Sequence, residues 1–308
     1  MMNEDCNKFY FVITEESEDE RLDKCLGALM EGLSRSYLQK LLNGGNITVN
    51  GKQKKPGYRV RTDDQIELIL PPVSIPNITP ENIPLDILYE DRSVIVVNKP
   101  KGMVVHPAPG HYTGTLVNAL LFHCRGELSG INGILRPGIV HRIDKDTTGS
   151  VIACKNDRAH ACIAGQLKQH TIVRMYHAIV HGILKEDEGT VHTMIGRHPT
   201  DRKRMSVLQN GGKEAITHYK VLKYLGSYSY IECRLETGRT HQIRVHMAYL
   251  GHPLVGDVVY GPKSCPFHLE GQTLHAKVLG FSHPETGEYI ETDAPLPRYF
   301  QELLIKMH

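Results

Sequence analysis

The stretch that decides the fold lies near the middle of the chain, where residues 138–149 read Gly-Ile-Val-His-Arg-Ile-Asp-Lys-Asp-Thr-Thr-Gly. The apolar residues at its start predict a strand over 138–143, and the run Ser-Val-Ile-Ala-Cys predicts another strand over 150–154. Between them lies a polar loop that carries Asp144 and Asp146. Gly149 suits the turn that ends this loop, so a solvated turn is the simplest interpretation of the segment.

Two kinds of metal chemistry can be tested against this acidic loop. Its spacing resembles the start of a calcium loop, but position twelve is Lys155, where a bidentate Glu is needed, and this excludes calcium. Asp144, Asp146 and Thr148 also match the Asp-x-Asp-x-Thr pattern of magnesium-dependent aspartyl phosphatases, in which the first Asp is the nucleophile. The preceding strand of those enzymes is uniformly apolar, whereas a His-Arg pair interrupts this one. The phosphatase is therefore the weaker alternative.

A second segment, 235–246, places basic residues at the start of a helix and reads Leu-Glu-Thr-Gly-Arg-Thr-His-Gln-Ile-Arg-Val-His. Thr240 is in the position of a helix cap, and the pattern predicts a helix over 241–249. His241 and Arg244 are three residues apart and share a face of that helix. A second metal ligand is not evident at helical spacing, which favours a packed or hydrogen-bonded His241. Arg244 is more informative, because a guanidinium on the inner face of a short helix requires a carboxylate partner.

Two more segments carry residue types that suit RNA. Residues 174–178 predict a strand in which the flat ring of Tyr176 is either part of the core or a stacking surface for a base. Residues 197–213 hold five Lys and Arg against one Asp in a Gly-bearing loop, which suits a solvated tip or an RNA clamp. The three consecutive cations of this loop are Arg202, Lys203 and Arg204.

Together these segments resemble the RluA family of pseudouridine synthases. Residues 138–149 match the signature of the family, and three further blocks match in order: 98–107 (Asn-Lys-Pro-Lys-Gly-Met-Val-Val-His-Pro), the Tyr176 strand and 238–244. The likeness runs from about residue 85 to 300 and is strongest to the D-type synthases that act on large-subunit ribosomal RNA. Ile143 and Thr148 stand where Leu and Ser are more common, and neither change alters the polarity enough to question activity.

The resemblance implies an isomerase that converts uridine in RNA into its carbon-linked isomer without a cofactor or a metal. Asp144 is then the catalytic carboxylate, and its role stays open between attack on the sugar, attack on the base and removal of a ribose proton. Arg244 is expected to keep it ionised, Arg142 to fill the place of the flipped uridine, and Tyr176 to lie against the flipped ring. The other implied site residues contact RNA (His141, Arg174, Arg239) or form apolar walls (Ile243, Leu274).

The first 70 residues predict a separate basic unit. Residues 17–20 and 36–39 fit capping boxes, each followed by apolar residues at helical spacing, and the alternation around Asn50-Gly51 predicts a hairpin. From Arg35 to Arg61 there are seven Lys or Arg and no acid. Because phosphate neutralisation needs cations gathered on one side, this segment predicts an RNA-binding face. Its candidate contacts are Arg35, Lys52, Lys54 and Lys55.

This unit also resembles the RNA-binding domain first seen in a ribosomal small-subunit protein, the S-four type. The matching residues include Arg21-Leu22-Asp23, Ser34-Arg35-Ser36 and Val49-Asn50-Gly51. The likeness covers most of residues 17–70, which strengthens the prediction of RNA binding.

Composition limits the class of protein. The chain has 308 residues, of which 40% are hydrophobic and 23% charged, and this predicts about two packed domains rather than disorder. The net charge of +2 does not indicate a polyanionic partner, so the RNA hypothesis depends on where the cations lie. The seven Cys are scattered without a C-x-x-C pair, which predicts reduced thiols in a cytoplasmic protein. The polar N-terminus and the short apolar runs predict neither a secretory signal nor a membrane span.

We therefore expect an α+β fold, in which a mixed, largely antiparallel sheet forms a catalytic domain at 85–308. A small α/β RNA-binding domain at 1–72 and a proline-containing linker at 73–84 are expected to precede it. Strands are predicted at 85–90, 94–98, 175–180, 215–224, 228–235, 274–281 and 289–293, and helices at 115–123, 157–168 and 297–306.

RNA is the expected partner, as 23S ribosomal RNA in a pre-50S particle, with no membrane, no small-molecule cofactor and a monomer as the default state. A non-catalytic RNA-binding ribosome-assembly factor stays open as an alternative, because the basic unit alone is sufficient for that role.

Overall fold

The computed structural model describes residues 8–30, 33–71, 78–108, 111–133, 135–201 and 203–307. The chain divides into two compact units, Met1–Ile75 and Pro76–His308. Residues 73–77 of the predicted linker and Arg202 of the basic loop lie outside the described residues. Within the described ranges, no helix has both the length and the apolar character needed to cross a membrane.

The N-terminal unit consists of a four-stranded antiparallel sheet and two helices. Its elements are β1 (Lys8–Val12), α1 (Leu22–Leu29), α2 (Arg35–Asn43), β2 (Ile47–Val49), β3 (Lys52–Gln53) and β4 (Gln65–Ile69), with strand order β1-β4-β2-β3. The turn between β2 and β3 has φ values of 51° at Asn50 and 68° at Gly51, as the predicted hairpin requires. Apolar residues of both helices, among them Leu26 and Leu38, pack with Leu68 of the sheet.

Both predicted capping boxes of this unit are wrong. Ser17 belongs to a short 3-10 helix, Glu15–Ser17, and α1 begins after Arg21 without a side-chain cap. The cap of α2 is Ser34, whose hydroxyl accepts a hydrogen bond from the backbone N–H of Tyr37 at 3.3 Å. A local sequence pattern does not choose between neighbouring serines, because the choice depends on where the helix packs.

The C-terminal unit is built on a ten-stranded sheet. Its strands are β5 (Ile87–Glu90), β6 (Val94–Lys99), β7 (Thr148–Cys154), β8 (Val173–His181), β9 (Glu188–Arg197), β10 (Met205–Leu208), β11 (Lys213–Leu225), β12 (Tyr228–Leu235), β13 (Leu274–Ser282) and β14 (Tyr289–Asp293). Its helices are α3 (Leu116–His123), α4 (Asp157–Lys168), α5 (Gln242–Tyr249) and α6 (Arg298–Lys306). The strand order is β10-β9-β11-β12-β8-β13-β7-β6-β5, with β14 on β13, and among these pairs only β7 with β13 is parallel. The predicted class, α+β with a mixed, largely antiparallel sheet, is confirmed.

Helices cover both faces of the centre of this sheet. Successive strand residues point to opposite faces, so Val151 and Ala178 pack in the same cluster as α3 and α5. On the other face, Ile152 packs with α4 and Ile179 packs with α6. Because β7 is covered on both sides, every one of its residues is buried, and its second half, Val151 to Cys154, is apolar.

The predicted strand over 138–143 is wrong. This stretch is a loop with a single isolated bridge between Ile139 and Ala153. Side chains replace the strand ladder: Asn132 donates to the carbonyl of Ile139 at 2.7 Å, and His141 Nε2 accepts from the N–H of Ile152 at 3.1 Å. Strands β1, β9 and β10 were not predicted. In β9 the fully buried residues Val191 and Ile195 are four apart, which conceals the period of two.

Candidate active site

Several segments of the C-terminal unit meet around one cavity of about 810 Å³. Four of them carry the predicted site residues: the loop before β7, the start of β8, the start of α5 with the residues before it, and the first residue of β13. His106 and the end of α4 with His170 also line the cavity. The predicted site residues of these segments all line the cavity: His141, Arg142, Asp144, Arg174, Tyr176, Arg239, Ile243, Arg244 and Leu274. Residues far apart in the sequence are thus brought together as the sequence patterns require.

Gly149 allows the acidic loop to enter this cavity. It has a φ of +106°, and a Cβ built on it would lie 2.3 Å from the carbonyl oxygen of Ala276. This close approach is the parallel contact between β7 and β13, where Gly149 pairs with Ala276 and Thr148 with His275. The Thr148 hydroxyl and His275 Nδ1 are hydrogen-bonded at 2.7 Å. Only glycine combines this backbone angle with this contact.

Asp144, Arg244 and Asp257 form the electrostatic centre of the site. Arg244 Nη1 donates to Asp144 Oδ2 at 2.9 Å, while Nε and Nη2 donate to the two oxygens of Asp257 at 2.6 and 2.9 Å. The side chain of Asp257 is fully buried, that of Arg244 is 6% exposed and that of Asp144 is 17% exposed. The Nε/Nη2 edge of the guanidinium is therefore occupied by Asp257, a residue that sequence reasoning missed, and Asp144 receives one N–H of Nη1.

Burial opposes the charges of this cluster, and their mutual contacts more than compensate. Burial by itself lowers the pKa of Arg244, but the hydrogen bonds and charges of Asp257 and Asp144 raise that pKa above its ordinary value. Burial likewise opposes ionisation of Asp257, yet Arg244 holds the pKa of that carboxyl below its usual range. Both residues are thus charged at neutral pH.

His241 lies on the other side of Asp144. It precedes α5 with a φ of 57° in the left-handed region, and no side chain caps the helix, so the predicted cap by Thr240 is wrong. His241 Nδ1 is 2.8 Å from the Tyr260 hydroxyl, and Nε2 is 3.7 Å from Asp144 Oδ1. Burial lowers the pKa of His241, which favours a neutral ring. As the sequence indicated, this His is hydrogen-bonded within the protein.

Tyr176 and Arg174 lie on the same face of β8. The Tyr176 ring packs in the core cluster with Ile243 and Leu274, and burial raises the pKa of its phenol, so it keeps its proton. Arg174 is 93% buried and donates to the carbonyl of Glu236 at 2.6 Å. Its Nε has no hydrogen-bond partner among the described residues. A buried cation of this kind, facing a cavity, suits an anionic ligand.

Lys99 is a second residue that sequence reasoning did not single out. It is 1% exposed, and its ammonium donates to the carbonyls of Pro100, Met103 and Lys145 at 2.9, 2.8 and 2.9 Å. Burial lowers the pKa of Lys99 to about 7. The bond to Lys145 ties the residue that follows Asp144 to the end of β6, and the other two hold the turn after β6. The sequence signal that could have identified this residue is a lysine at the end of the apolar strand 94–99, where a buried charge needs partners.

The remaining predicted RNA contacts lie at several places. Arg142 is exposed on the cavity wall, and Arg239 Nε donates to the carbonyl of Glu214 at 2.7 Å. Lys203 and Arg204 lie in the loop between β9 and β10 rather than in the cavity lining, with the Arg204 guanidinium 5.3 Å from the centre of the Tyr260 ring.

In the N-terminal unit, the guanidinium of Arg35 donates twice to the buried Asp23, at 3.0 and 3.1 Å. Lys52 and Lys55 are exposed, and the Lys54 ammonium is 4.8 Å from the centre of the Tyr58 ring.

In the parts of the chain that the structure describes, no three His, Cys, Asp or Glu side chains lie together as a metal site would require. The site therefore holds a carboxylate bonded by a guanidinium in a concave pocket, next to a phenol whose pKa is raised and an imidazole whose pKa is lowered by burial.

Comparisons with known proteins agree with this chemistry. The family described as RNA pseudouridylate synthase matches residues 93–249, and the S4 domain family matches residues 20–66. The chain is 50% identical over 97% of both proteins to an uncharacterized RNA pseudouridine synthase, YlyB, of Bacillus subtilis. It is 45% identical, over 96% of both proteins, to ribosomal large subunit pseudouridine synthase D of Zymomonas mobilis. Among solved structures, human RNA pseudouridylate synthase domain containing 1 has a TM-score of 0.56 and 26% identity, and the match covers 74% of this chain and 96% of that one.

Proposed function

Because the chain belongs to the RNA pseudouridylate synthase family, we propose that it converts specific uridines of large-subunit ribosomal RNA into pseudouridine through Asp144. Membership of the family confirms the resemblance of residues 85–300 and identifies the chain as an isomerase that acts on RNA. The name of the relative at 45% identity supports ribosomal RNA as the substrate class. The observation that carries the assignment of the site is the ion pair of Asp144 with Arg244 inside the cavity.

The reaction needs a charged carboxylate and no exchange of atoms with a cofactor. The glycosidic bond between ring nitrogen one and the ribose breaks, and a bond from ring carbon five to the same ribose carbon forms. The hydrogen at carbon five leaves as a proton, and nitrogen one gains a proton, so the overall change is an isomerisation. Arg244 bonds one oxygen of Asp144 and leaves the other, Oδ1, for the nucleoside.

The cavity supports recognition of an extruded uridine. Its volume of about 810 Å³ is within the ~300–1,000 Å³ of small-molecule sites, so one nucleoside fits together with parts of its neighbours. We assign Tyr176 to the face of the flipped base and the exposed Arg142 to the place that the base vacates. Arg174, whose Nε has no partner among the described residues, is assigned together with Arg239 to phosphates next to that nucleotide.

We assign the two units to separate tasks. Residues 1–72 bind RNA non-specifically through Arg35, Lys52, Lys54 and Lys55, residues 73–84 link the units, and residues 85–308 catalyse. The match of the S4 domain to residues 20–66 supports the first assignment. We place the protein in the cytoplasm as a monomer that acts on a pre-50S particle, where unfolded ribosomal RNA offers single-stranded uridines.

A pseudouridine map tests the proposed function. Carbodiimide labelling of ribosomal RNA from cells with and without this protein should show sites that are lost in the large-subunit RNA of the cells that lack it. Loss of sites only in transfer RNA, or no loss at all, would contradict the substrate assignment.

The Asp144→Asn variant separates an enzyme from an assembly factor. We expect it to bind RNA with wild-type affinity and to restore no pseudouridine, whereas an assembly factor would keep its biological role with this substitution. EDTA provides a further control, because it should spare a synthase and abolish a magnesium-dependent phosphatase.

A further inference from the structure

One short segment, Asp257 to Tyr260, contacts both of the groups that face Asp144. We propose that Asp257 and Tyr260 are positioning residues for the isomerisation, Asp257 acting through Arg244 and Tyr260 through His241. The inference rests on the proposed function of Asp144 and adds two residues that do not line the cavity.

Asp257 fixes the direction of the guanidinium. Its two oxygens accept from Nε and Nη2 of Arg244, and Oδ1 also accepts from the backbone N–H groups of Val259 and Tyr260 at 2.9 and 3.1 Å. A fully buried carboxylate with four hydrogen bonds cannot rotate freely. Because the guanidinium is planar, fixing Nε and Nη2 also fixes the plane and position of Nη1, and one of its two N–H bonds then points to Asp144 Oδ2.

Tyr260 fixes the tautomer of His241. Its hydroxyl oxygen accepts from the backbone N–H of Met205 at 2.8 Å, and within the described residues His241 Nδ1, at 2.8 Å, is the one acceptor near the hydroxyl proton, so we assign that proton to the Nδ1 contact. The neutral imidazole then carries its proton on Nε2, the nitrogen that lies 3.7 Å from Asp144 Oδ1. At 3.7 Å the two atoms are not hydrogen-bonded to each other in this structure. The Nε2–H donor nevertheless lies beside the Asp144 oxygen that Arg244 leaves unbonded.

Asp257→Asn tests the first half of the proposal. An amide cannot accept from both N–H groups of the fork, so Arg244 reorients and Nη1 leaves Asp144. With transcribed large-subunit ribosomal RNA carrying tritium at carbon five of uracil, we expect kcat for tritium release to fall about 100-fold with KM unchanged. Asp91→Asn is the matched control, because Asp91 accepts from Ser93 and Val94 N–H groups at a turn outside the cavity lining. A kcat within about twofold of wild type, with or without a higher KM, overturns the role of Asp257.

Tyr260→Phe tests the second half with a readout that needs no substrate. In protein labelled with nitrogen-15 histidine, and with the His241 signals assigned by a His241→Gln variant, we expect wild type to show Nδ1 unprotonated and Nε2 protonated. Tyr260→Phe should shift the His241 signals toward the other tautomer and lower kcat about tenfold, while Tyr224→Phe, which loses a 2.6 Å bond to Asp187, should change neither. Unchanged His241 signals overturn the role of Tyr260.

The two readouts separate the inference from the proposed function. If wild type releases no tritium from the RNA while Tyr260→Phe shifts the His241 signals, the proposed function fails and the positioning contact stands. If wild type is active and neither variant differs from it, the positioning proposal fails and the function stands. If Asp257→Asn does not fold, Asp257→Glu tests the same role, because it keeps the charge and both acceptor oxygens but displaces the fork by one methylene group. An unchanged kcat in a folded Asp257→Glu protein then overturns the role of Asp257.

Discussion

Replacing Arg244 with Lys removes a geometry while it keeps a charge. The guanidinium makes three charge-assisted hydrogen bonds, one to Asp144 at 2.9 Å and two to Asp257 at 2.6 and 2.9 Å. A lysine ammonium is a single point donor on a flexible stem and cannot reproduce a planar fork between two carboxylates. The variant therefore keeps at most part of one contact, and Asp144 and Asp257 compete for it.

The size of the effect follows from these contacts. A hydrogen bond to a charged group contributes about 1.5–3 kcal/mol, so the loss of two lowers the free energy of unfolding by about 3–6 kcal/mol. A domain with a stability of about 5–15 kcal/mol still folds at 25 °C in most of that range. The effect on turnover has a separate cause, because a misplacement of about 1 Å at a reacting group costs about 100-fold in rate, or about 2.7 kcal/mol of activation free energy. We expect Arg244→Lys to lower kcat by about that factor, with RNA affinity unchanged.

Tritium release from RNA labelled at carbon five of uracil measures kcat, and urea unfolding measures stability. Arg298→Lys is the matched control, since Arg298 is 92% exposed and its ion pair within the described part of the chain is with Glu302 one helical turn away, a contact that contributes little to stability. Wild-type turnover by a folded Arg244→Lys protein would refute the reasoning, because it would mean that the charge alone, without the fork, supports Asp144.

Three further predictions follow from buried contacts. Lys99→Met leaves three carbonyl groups without their donor and should lower the free energy of unfolding by about 3 kcal/mol or more, with reduced turnover; an unchanged urea midpoint contradicts this. Gly149→Ala should lower the melting temperature and abolish tritium release, because its Cβ meets a β13 carbonyl at 2.3 Å, whereas Gly130→Ala, with open space around it, should change neither. His246 and His275 are fully buried, and burial lowers the pKa of each to about 4. The free energy of unfolding is therefore unaffected by these histidines above their unfolded pKa of about 6.5 and falls as the pH drops toward 4, because the unfolded chain then binds protons that the folded protein does not. At about pH 5 each histidine should lower the free energy of unfolding by about 2 kcal/mol; equal stabilities in urea at about pH 7.5 and about pH 5 contradict this.

Local patterns were sufficient for the class of fold and for much of the site. Apolar alternation predicted most strands of the large sheet, and Asn50-Gly51 predicted the hairpin, because these signals act between neighbours in the chain. The segments around Asp144, Tyr176 and Arg244 were predicted to act together, and the structure places all three side chains on one cavity. The roles of these residues stay predictions until the variants are measured.

Only the tertiary structure decided how the guanidinium of Arg244 divides its hydrogen bonds between two carboxylates. Arg244 bonds Asp144, 100 residues away, with one N–H and gives its fork to Asp257, 13 residues away, and nothing in the spacing of either carboxylate indicates which receives the fork. The loop at 138–143 likewise resembles a strand in its composition and is a loop in the fold, because Asn132 and a backbone N–H of β7 bond it from outside. Residue type and period are properties of neighbours along the chain, so the sequence determined the elements and the residues that carry the chemistry. Hydrogen-bond partners are chosen by proximity in space, so the folded chain alone determined which partner each of those residues has.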